Sequence, residues 1–194
     1  MISLCLSEIC QAIDGQLIGK DITINTLVTD SRALEKNDVF LALKGPNFDG
    51  HRFLNKVIAA GCSAVVVEHD CQLNVPQIVV SDTHQALGKI AAYVKAKLSP
   101  KTVAITGSSG KTTVKEMVAA ILSRLGDVLA TQGNFNNDIG VPLTLLRLED
   151  KHDFAVIELG ANHMGEIAYT SNLVKPDVAI INNIAAAHLE GFGD

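Results

Sequence analysis

The sequence lacks an excess of basic residues. It has 16 Lys and Arg residues against 21 Asp and Glu residues in a chain of 194, which gives a formal net charge of −5. A chain of this charge has no broad positive surface for a polyanion, so we expect no binding to nucleic acid. Any phosphate recognition must be local, which favours a small nucleotide as the ligand.

Long apolar runs are also missing. No stretch approaches the roughly 20 apolar residues that a membrane-spanning helix needs, and residues 1–6 have no basic residue ahead of their apolar positions. The sequence therefore predicts no membrane insertion, and we expect a cytoplasmic protein.

Cysteine is sparse and shows no metal-binding pattern. The four cysteines form no C-x-x-C pair, and nothing in the sequence indicates an oxidising compartment. We expect buried free thiols without a chemical role at Cys5, Cys10, Cys62 and Cys71.

The pattern of elements changes near Ser81, which predicts two α/β domains, at residues 1–81 and 82–194. In the first we predict strands at 2–6, 22–28, 39–43, 64–67 and 77–80, a short helix capped by Ser7 and ended by Gly15, and a helix at 51–60 closed by Gly61. In the second we predict helices at 85–98, 141–148 and 165–173, and strands at 103–106, 127–130, 154–159 and 177–184. Continuously apolar strands that alternate with helices indicate a mostly parallel sheet covered on both faces.

A further helix is predicted after the Gly-rich turn at 107–110. Its apolar residues recur at helical spacing, so we expect one face to pack against the sheet. These residues are Val114, Met117, Val118, Ile121, Leu122 and Leu125.

The predicted second sheet is incomplete. Each earlier strand is followed by a crossover helix, but only residues 185–194 follow the last strand. This length is too short for a helix and a return strand. We therefore expect the chain to be a truncated part of a longer protein.

A phosphate-binding loop is predicted where a buried strand meets this amphipathic helix. The loop comprises Gly107, Ser108, Ser109, Gly110, Lys111, Thr112 and Thr113. The two glycines let backbone N–H groups turn towards phosphate oxygens at the positive end of the helix. Lys111 would bridge the β- and γ-phosphates, and the Thr112 hydroxyl would bind Mg²⁺. The spacing is shorter than the general pattern, because Ile105 stands at its first glycine; the alternative is a plain turn with an exposed lysine.

Polar residues also follow the other strands of the predicted sheet. Parallel strands end at one edge, so Glu158, Asn182 and Asn183 should gather beside the loop. Glu158 could hold Mg²⁺, because hard cations prefer oxygen ligands. A solvated Glu and a structural His188 remain alternatives from the residues alone.

Three other segments are ambiguous by themselves. The amides of Asn134-Phe-Asn-Asn137 could contact a phosphate or a carboxylate, or could only form a turn. Asp30-Ser-Arg32 offers a guanidinium group that could bind a diphosphate. The segment Gly45-Pro-Asn-Phe-Asp-Gly-His51 has the same ambiguity between a binding role and a turn. Both are also common turn sequences.

Together these segments resemble the Mur ligases. The resemblance covers essentially the whole chain and is carried by Thr-Gly-Ser-Ser-Gly-Lys-Thr-Thr at 106–113, Asn-Phe-Asn-Asn-Asp-Ile-Gly-Val-Pro at 134–142, Glu-Leu-Gly-Ala-Asn-His-Met-Gly-Glu-Ile at 158–167 and Asn-Ile-Ala-Ala-Ala-His-Leu-Glu-Gly-Phe-Gly at 183–193. The last two stretches follow the pattern of the member that joins D-alanyl-D-alanine to UDP-N-acetylmuramoyl-tripeptide.

The resemblance implies an N-terminal UDP-sugar domain, a central ATPase domain, which is incomplete here, and a C-terminal domain. It implies ATP and Mg²⁺ as cofactors, Lys111, Glu158 and His188 as catalytic residues, and Thr112, Glu158 and His188 as metal ligands. It assigns nucleotide binding to the loop with Asn134 and Asn137, and substrate binding to Ser31, Arg32, Asp49, Gly50, His51 and Asn136. The family's carbamylated lysine would lie beyond Asp194.

The implied reaction forms an acyl phosphate from the substrate carboxylate and ATP, and the dipeptide amine then displaces phosphate. Two other enzyme types share this loop, a sister Mur ligase and a folylpolyglutamate synthase. A third alternative is a fragment that only binds the UDP-sugar. We expect a monomer, and an inactive one if the chain is truncated.

Overall fold

The computed structural model describes residues 1–45 and 47–185. They form two compact units, Met1–Ile90 and Ala91–Asp194. The division falls inside a helix, Thr83–Leu98, whereas the sequence placed the domain boundary at Ser81. Among the described residues, no helix has both the length and the apolar character needed to cross a membrane.

The first unit is built on a five-stranded sheet with the order β2-β9-β8-β5-β4. Its strands are β2 (Gln16–Ile18), β4 (Leu27–Val28), β5 (Val39–Leu41), β8 (Ala64–Val67) and β9 (Gln77–Val79). Only β2 is antiparallel to its neighbour. Two small antiparallel pairs flank it, β1 (Leu4–Cys5) with β3 (Thr23–Ile24) and β6 (Lys44–Gly45) with β7 (Phe48–Asp49).

The helices of the first unit cover this sheet. They are α1 (Leu6–Ala12), a 3₁₀ turn at Gly50–Phe53, α2 (Leu54–Ala59) and the first part of α3 (Thr83–Leu98). One buried cluster joins α2 to the sheet, and it consists of Phe40, Ala42, Leu54, Val57, Cys62, Val65 and Val67. Gly61 follows α2 with φ +95°, a left-handed conformation that glycine adopts without strain.

The second unit is a four-stranded, fully parallel sheet with the order β11-β12-β10-β13. The strands are β10 (Lys101–Thr106), β11 (Val128–Ala130), β12 (Phe154–Glu158) and β13 (Val178–Ile181). The helices that connect them are α4 (Lys111–Leu122), α5 (Gly140–Leu145) and α6 (Glu166–Val174). This arrangement confirms the predicted parallel α/β sheet.

Several local predictions were wrong. The first helix begins at Leu6 after Cys5, so Ser7 is not its cap; instead, the Ser7 N–H donates to Asp21. The strand at β2 was missed because its residues carry no clear alternation. All four cysteines are free, but only Cys62 is buried, and burial raises the pKa of its thiol.

The predicted packing of α4 against the sheet is confirmed, and Val114, Val118 and Leu122 are half-buried, but the other half of its predicted apolar face was wrong. Met117, Ile121 and Leu125 are 60%, 64% and 73% exposed. The residue that α4 buries completely is Lys115, and the helix contacts β10, β11 and β12. Apolar residues lie on two adjacent stripes of this helix, and the spacing counted both as one face.

Candidate functional site

The phosphate loop lies in the predicted strand–loop–helix setting. It connects the end of β10 at Thr106 to the start of α4 at Lys111. Gly107 and Gly110 have φ values of +142° and +72°, which favour glycine. The N–H groups in the first turn of a helix have no partner within the helix and attract anions. The loop therefore has the backbone of an anion site.

The hydroxyl residues of the loop have different surroundings. The Ser108 and Ser109 N–H groups donate to the backbone and side-chain oxygens of Asn183, at 3.1 and 2.9 Å. Thr112 and Thr113 lie in the first turn of α4, and both are exposed. The loop residues predicted to contact a nucleotide are therefore brought together.

The Lys111 side chain folds back over the loop. Its Nζ donates to the Gly107 carbonyl oxygen at 2.8 Å, and the residue is half-buried. This contact holds the ammonium group against the first residue of the loop. A cation held there can turn to a phosphate oxygen by exchanging one acceptor for another.

Glu158 ends β12 beside the loop and is only 2% exposed. The Thr112 hydroxyl donates to its Oε2 at 2.9 Å, and the Asn136 side-chain amide donates to its Oε1 at 2.8 Å. The Glu158 N–H donates to Thr131 Oγ1 at 2.9 Å. Gly160 N–H binds the Asn136 carbonyl at 2.8 Å, and this contact holds Asn136 in place. The carboxylate is therefore fixed on the Thr112 side of the loop.

The oxygen atoms of Glu158 and Thr112 are suitable ligands for a hard divalent cation. Glu158 and Thr112 supply two oxygen atoms of the kind that Mg²⁺ prefers, and such ions keep several waters and phosphate oxygens as further ligands. Within residues 1–45 and 47–185, no group of three or more His, Cys, Asp or Glu side chains is placed to hold a metal ion. The predicted third ligand, His188, lies outside the described residues.

Lys115 is a buried cation that the sequence did not single out. It is 1% exposed, and its Nζ donates to the Thr131 carbonyl at 2.7 Å. Its second partner is Glu116 Oε1 at 2.6 Å. Because Thr131 also binds the Glu158 N–H, Lys115 ties α4 to the strand end that positions Glu158. Apolar periodicity could not reveal a lysine on the packing face.

We expect Lys115→Ala to lower the free energy of unfolding by about 2–4 kcal/mol, because it removes buried methylenes and leaves the Thr131 carbonyl unpaired. Urea denaturation measures this change. Lys151→Ala is the control, because Lys151 and its partner Glu149 are both exposed, and the loss of such an ion pair costs less than about 1 kcal/mol. Equal costs for both variants would show that Lys115 is not the structural anchor.

The asparagines between β11 and α5 have distinct contacts. Asn136 contacts Glu158 rather than an open groove, and its predicted role in substrate binding stays a prediction. The Asn137 side-chain oxygen accepts from Gly140 N–H at 2.8 Å, so it satisfies the first N–H group of α5. Asn134 is exposed, and its carbonyl accepts from the Asn136 N–H at 2.8 Å. The predicted nucleotide contacts of Asn134 and Asn137 remain untested.

The first unit has its own cavity, of about 520 Å³. Its lining residues are Thr29, Asp30, Ser31, Arg32, Phe48, Phe53 and Lys56. The Arg32 guanidinium binds the Asp30 carboxylate at 2.7 Å, and this bond lowers the Asp30 pKa to about 2. The rings of Phe48 and Phe53 stack with centroids 5.7 Å apart. Ser31 and Arg32 thus share a cavity with Phe48, which belongs to the segment 45–51 singled out in the sequence, and with Phe53 and Lys56, which the sequence analysis did not include.

The other predicted substrate residues have mainly structural contacts. His51 Nδ1 lies 2.7 Å from Asp49 Oδ1, and its Nε2 accepts from the Glu68 N–H at 3.0 Å, so both ring nitrogens are engaged. The bond to His51 lowers the Asp49 pKa. A Cβ at Gly50 would lie 2.8 Å from the Leu43 oxygen, which explains the glycine. Asp49 lines a smaller neighbouring cavity of about 270 Å³, with Lys44 and Arg52.

Comparison with known proteins agrees with this arrangement. The model of the Mur ligase middle domain matches residues 105–194, and that of the Mur ligase family catalytic domain matches residues 23–95. The chain is 53% identical to the UDP-N-acetylmuramoyl-tripeptide--D-alanyl-D-alanine ligase of Escherichia coli, over 100% of this chain and 43% of that protein.

Solved structures give the same result. The structure of MurF from Acinetobacter baumannii has a TM-score of 0.95 and 48% identity over 100% of this chain and 44% of its own. MurF from Thermotoga maritima in complex with ADP has a TM-score of 0.78 and 34% identity over 85% of this chain and 39% of its own. The chain thus spans less than half the length of the curated relatives that it matches. Because both family models match its sequence and it shares the fold of solved MurF structures, the chain belongs to the Mur ligase family.

Proposed function

We propose that this chain is the nucleotide-binding part of an ATP-dependent ligase that joins D-alanyl-D-alanine to UDP-N-acetylmuramoyl-tripeptide in peptidoglycan synthesis. The observation that carries the proposal is the set of contacts among the loop, Thr112 and Glu158. Relatives up to 53% identical bear the name of that ligase, and one solved relative is in complex with ADP.

The side chains at the loop perform binding and charge stabilisation. Phosphoryl transfer needs positioning and compensation of negative charge more than it needs a covalent protein group. The N–H groups of the first turn of α4 donate hydrogen bonds to the phosphates of ATP. The Lys111 ammonium group binds the phosphate oxygen on which negative charge increases during transfer. Thr112 and Glu158, with His188, would hold Mg²⁺, which neutralises charge on the phosphate oxygens. In this step the substrate carboxylate attacks the γ-phosphorus, the bond from that phosphorus to the bridging oxygen breaks, and the products are an acyl phosphate and ADP.

The first unit is proposed to hold the nucleotide sugar. In this proposal residues 1–81 bind UDP-N-acetylmuramoyl-tripeptide and residues 82–194 bind ATP. Arg32 and Lys56 offer two cations to a diphosphate, and the stacked rings of Phe48 and Phe53 offer an apolar wall to a base. The UDP-sugar and ATP are both nucleotides of the cytoplasm, and we propose that the enzyme acts there. That the protein is a monomer remains a prediction.

We expect Arg32→Ala to weaken UDP binding roughly tenfold, because one of the two cations of the cavity is lost. Calorimetry with UDP measures this change. Arg124→Ala is the control, since Arg124 lies in the second unit and is exposed. An unchanged dissociation constant in Arg32→Ala would exclude the cavity as the diphosphate site.

Binding of a UDP-sugar, whose diphosphate does not titrate between about pH 5 and 8, should depend little on pH in that range. The folded Asp30 pKa is lowered from 3.8 to about 2, so Asp30 stays ionised above the ordinary value and loses its charge only as the pH falls towards 2. The Asp30–Arg32 pair is therefore intact across this range. A UDP-sugar affinity that changes steeply between about pH 5 and pH 8 would show that another group of the protein controls the cavity.

Ligation itself can be tested with a chimera that joins this chain to the remaining length of the Escherichia coli relative. We expect ATP-dependent phosphate release with D-alanyl-D-alanine and the UDP-tripeptide. Release with a single amino acid or with glutamate as the acceptor would instead indicate a sister ligase or a folylpolyglutamate synthase. UDP binding without any nucleotide turnover would indicate a binding module.

A further inference from the structure

The end of β13 runs directly beside the phosphate loop. β13 pairs in parallel with β10 up to Thr106 and Ile181, and the Asn182 N–H continues the ladder by donating to the Thr106 carbonyl at 2.9 Å. Asn182 and Asn183 therefore leave the sheet at the level at which Gly107 turns away from it. Two carboxamide side chains are thus placed against the loop.

The Asn183 side chain forms hydrogen bonds with the N–H group, the carbonyl oxygen and the hydroxyl oxygen of Ser109. The Ser109 N–H donates to Asn183 Oδ1 at 2.9 Å, and Asn183 Nδ2 donates to the Ser109 carbonyl at 3.1 Å and to its Oγ at 3.0 Å. The Asn182 Nδ2 donates to the same carbonyl at 2.7 Å. A carboxamide is the neutral side-chain group that can donate and accept in this way.

The glycines of the loop make room for these two residues. A Cβ at Gly107 would lie 3.0 Å from the backbone N and O atoms of Asn183, and a Cβ at Gly110 would lie 2.8 Å from Asn182 Nδ2. A side chain at Gly107 would therefore press on the backbone of Asn183, and one at Gly110 would displace the end of the Asn182 side chain. Close approach to β13 is a second reason for these glycines, besides their positive φ.

We propose that Asn183, supported by Asn182, is a positioning residue for phosphate binding. The pair fixes the position of Ser109, because the Ser109 N–H donates to Asn183. The N–H groups of the following residues, at the start of α4, are then the ones that bind phosphate. This inference rests on the proposed nucleotide site and adds residues from a different strand to it. Neither asparagine touches the nucleotide in this role.

The test compares Asn183→Ala and Asn183→Asp with the wild-type 194-residue chain. Titration calorimetry with ADP and Mg²⁺, and separately with adenosine, measures binding, and thermal unfolding without nucleotide measures stability. Asn172→Ala, on the exposed surface of α6, is the matched control. Amide hydrogen exchange without nucleotide reports directly on Ser108 and Ser109.

We expect Asn183→Ala to weaken ADP binding about tenfold, which corresponds to about 1.4 kcal/mol. Adenosine binding and the unfolding midpoint should match those of Asn172→Ala, and exchange should accelerate at Ser109. Asn183→Asp keeps the acceptor but loses the donor and adds negative charge, so it should weaken ADP more than Ala does.

Two results would overturn the inference while the wild type binds ADP. One is unchanged ADP affinity in Asn183→Ala; the other is a loss of affinity shared equally by adenosine and accompanied by a lower unfolding midpoint. A wild-type chain that does not bind ADP would refute the proposed nucleotide site and the positioning role together.

Discussion

Lys111→Ala is expected to weaken ATP binding in the presence of Mg²⁺ by roughly tenfold to a hundredfold. A hydrogen bond to a charged group contributes about 1.5–3 kcal/mol, and Lys111 is the loop cation that can follow the terminal phosphates. In the free protein its Nζ donates to the Gly107 carbonyl, so the substitution breaks one intrachain contact. Stability should therefore change much less than affinity.

Calorimetric titration with ATP and Mg²⁺ measures this loss, and Lys101→Ala is the control. Lys101 begins β10 in the same unit, and its exposed side chain binds Asp177 at 3.3 Å. We expect this control to bind ATP like the wild type. If Lys111→Ala also binds like the wild type, Lys111 does not contact the phosphates. In the chimera described above, Lys111→Ala should abolish acyl-phosphate formation and leave UDP binding intact.

Glu158→Gln is expected to reduce the gain in ATP affinity that Mg²⁺ provides. The wild-type carboxylate should repel the triphosphate when no cation is present and should bind it through Mg²⁺ when the cation is added. Glutamine keeps the size and one acceptor oxygen but removes the charge; its NH2 group replaces the second acceptor, and the Thr112 hydroxyl can accept from it. ATP affinity should therefore rise slightly in EDTA and fall roughly tenfold in Mg²⁺.

The ratio of the two dissociation constants, with Mg²⁺ and with EDTA, is the measured quantity. Glu149→Gln is the matched control, because Glu149 is exposed and paired with Lys151 at 2.7 Å. A Glu158→Gln chain that keeps the wild-type ratio would show that Glu158 is not part of the metal site. Loss of ATP affinity in both conditions would indicate a structural role instead.

The sequence predicted the parallel sheet, the loop and the placement of Glu158, because each depends on local patterns. A phosphate loop is predicted where an apolar strand is followed by a glycine turn and a helix. The other parallel strands end at the same edge of the sheet as this loop. Glu158 follows from this rule, and the structure confirms that it lies beside Thr112.

Other features depended on contacts between distant residues. Lys115 resembles a surface lysine in sequence, and only its packing between α4 and Thr131 shows that it is buried. The two stripes of α4 could not be separated before the position of the sheet was known. The contacts of the His51 ring nitrogens with Asp49 and with the Glu68 N–H could not be read from the sequence, and its role in substrate binding stays a prediction.

The nucleotide site of residues 107–113 is tested most directly by amide hydrogen exchange of this chain with and without ADP and Mg²⁺. We predict that ADP slows exchange most strongly between Gly110 and Thr113, where the first turn of α4 offers its N–H groups, and that protection is much weaker at residues 30–32. Protection that is absent from the loop, or that is concentrated in the cavity of the first unit, would contradict the account.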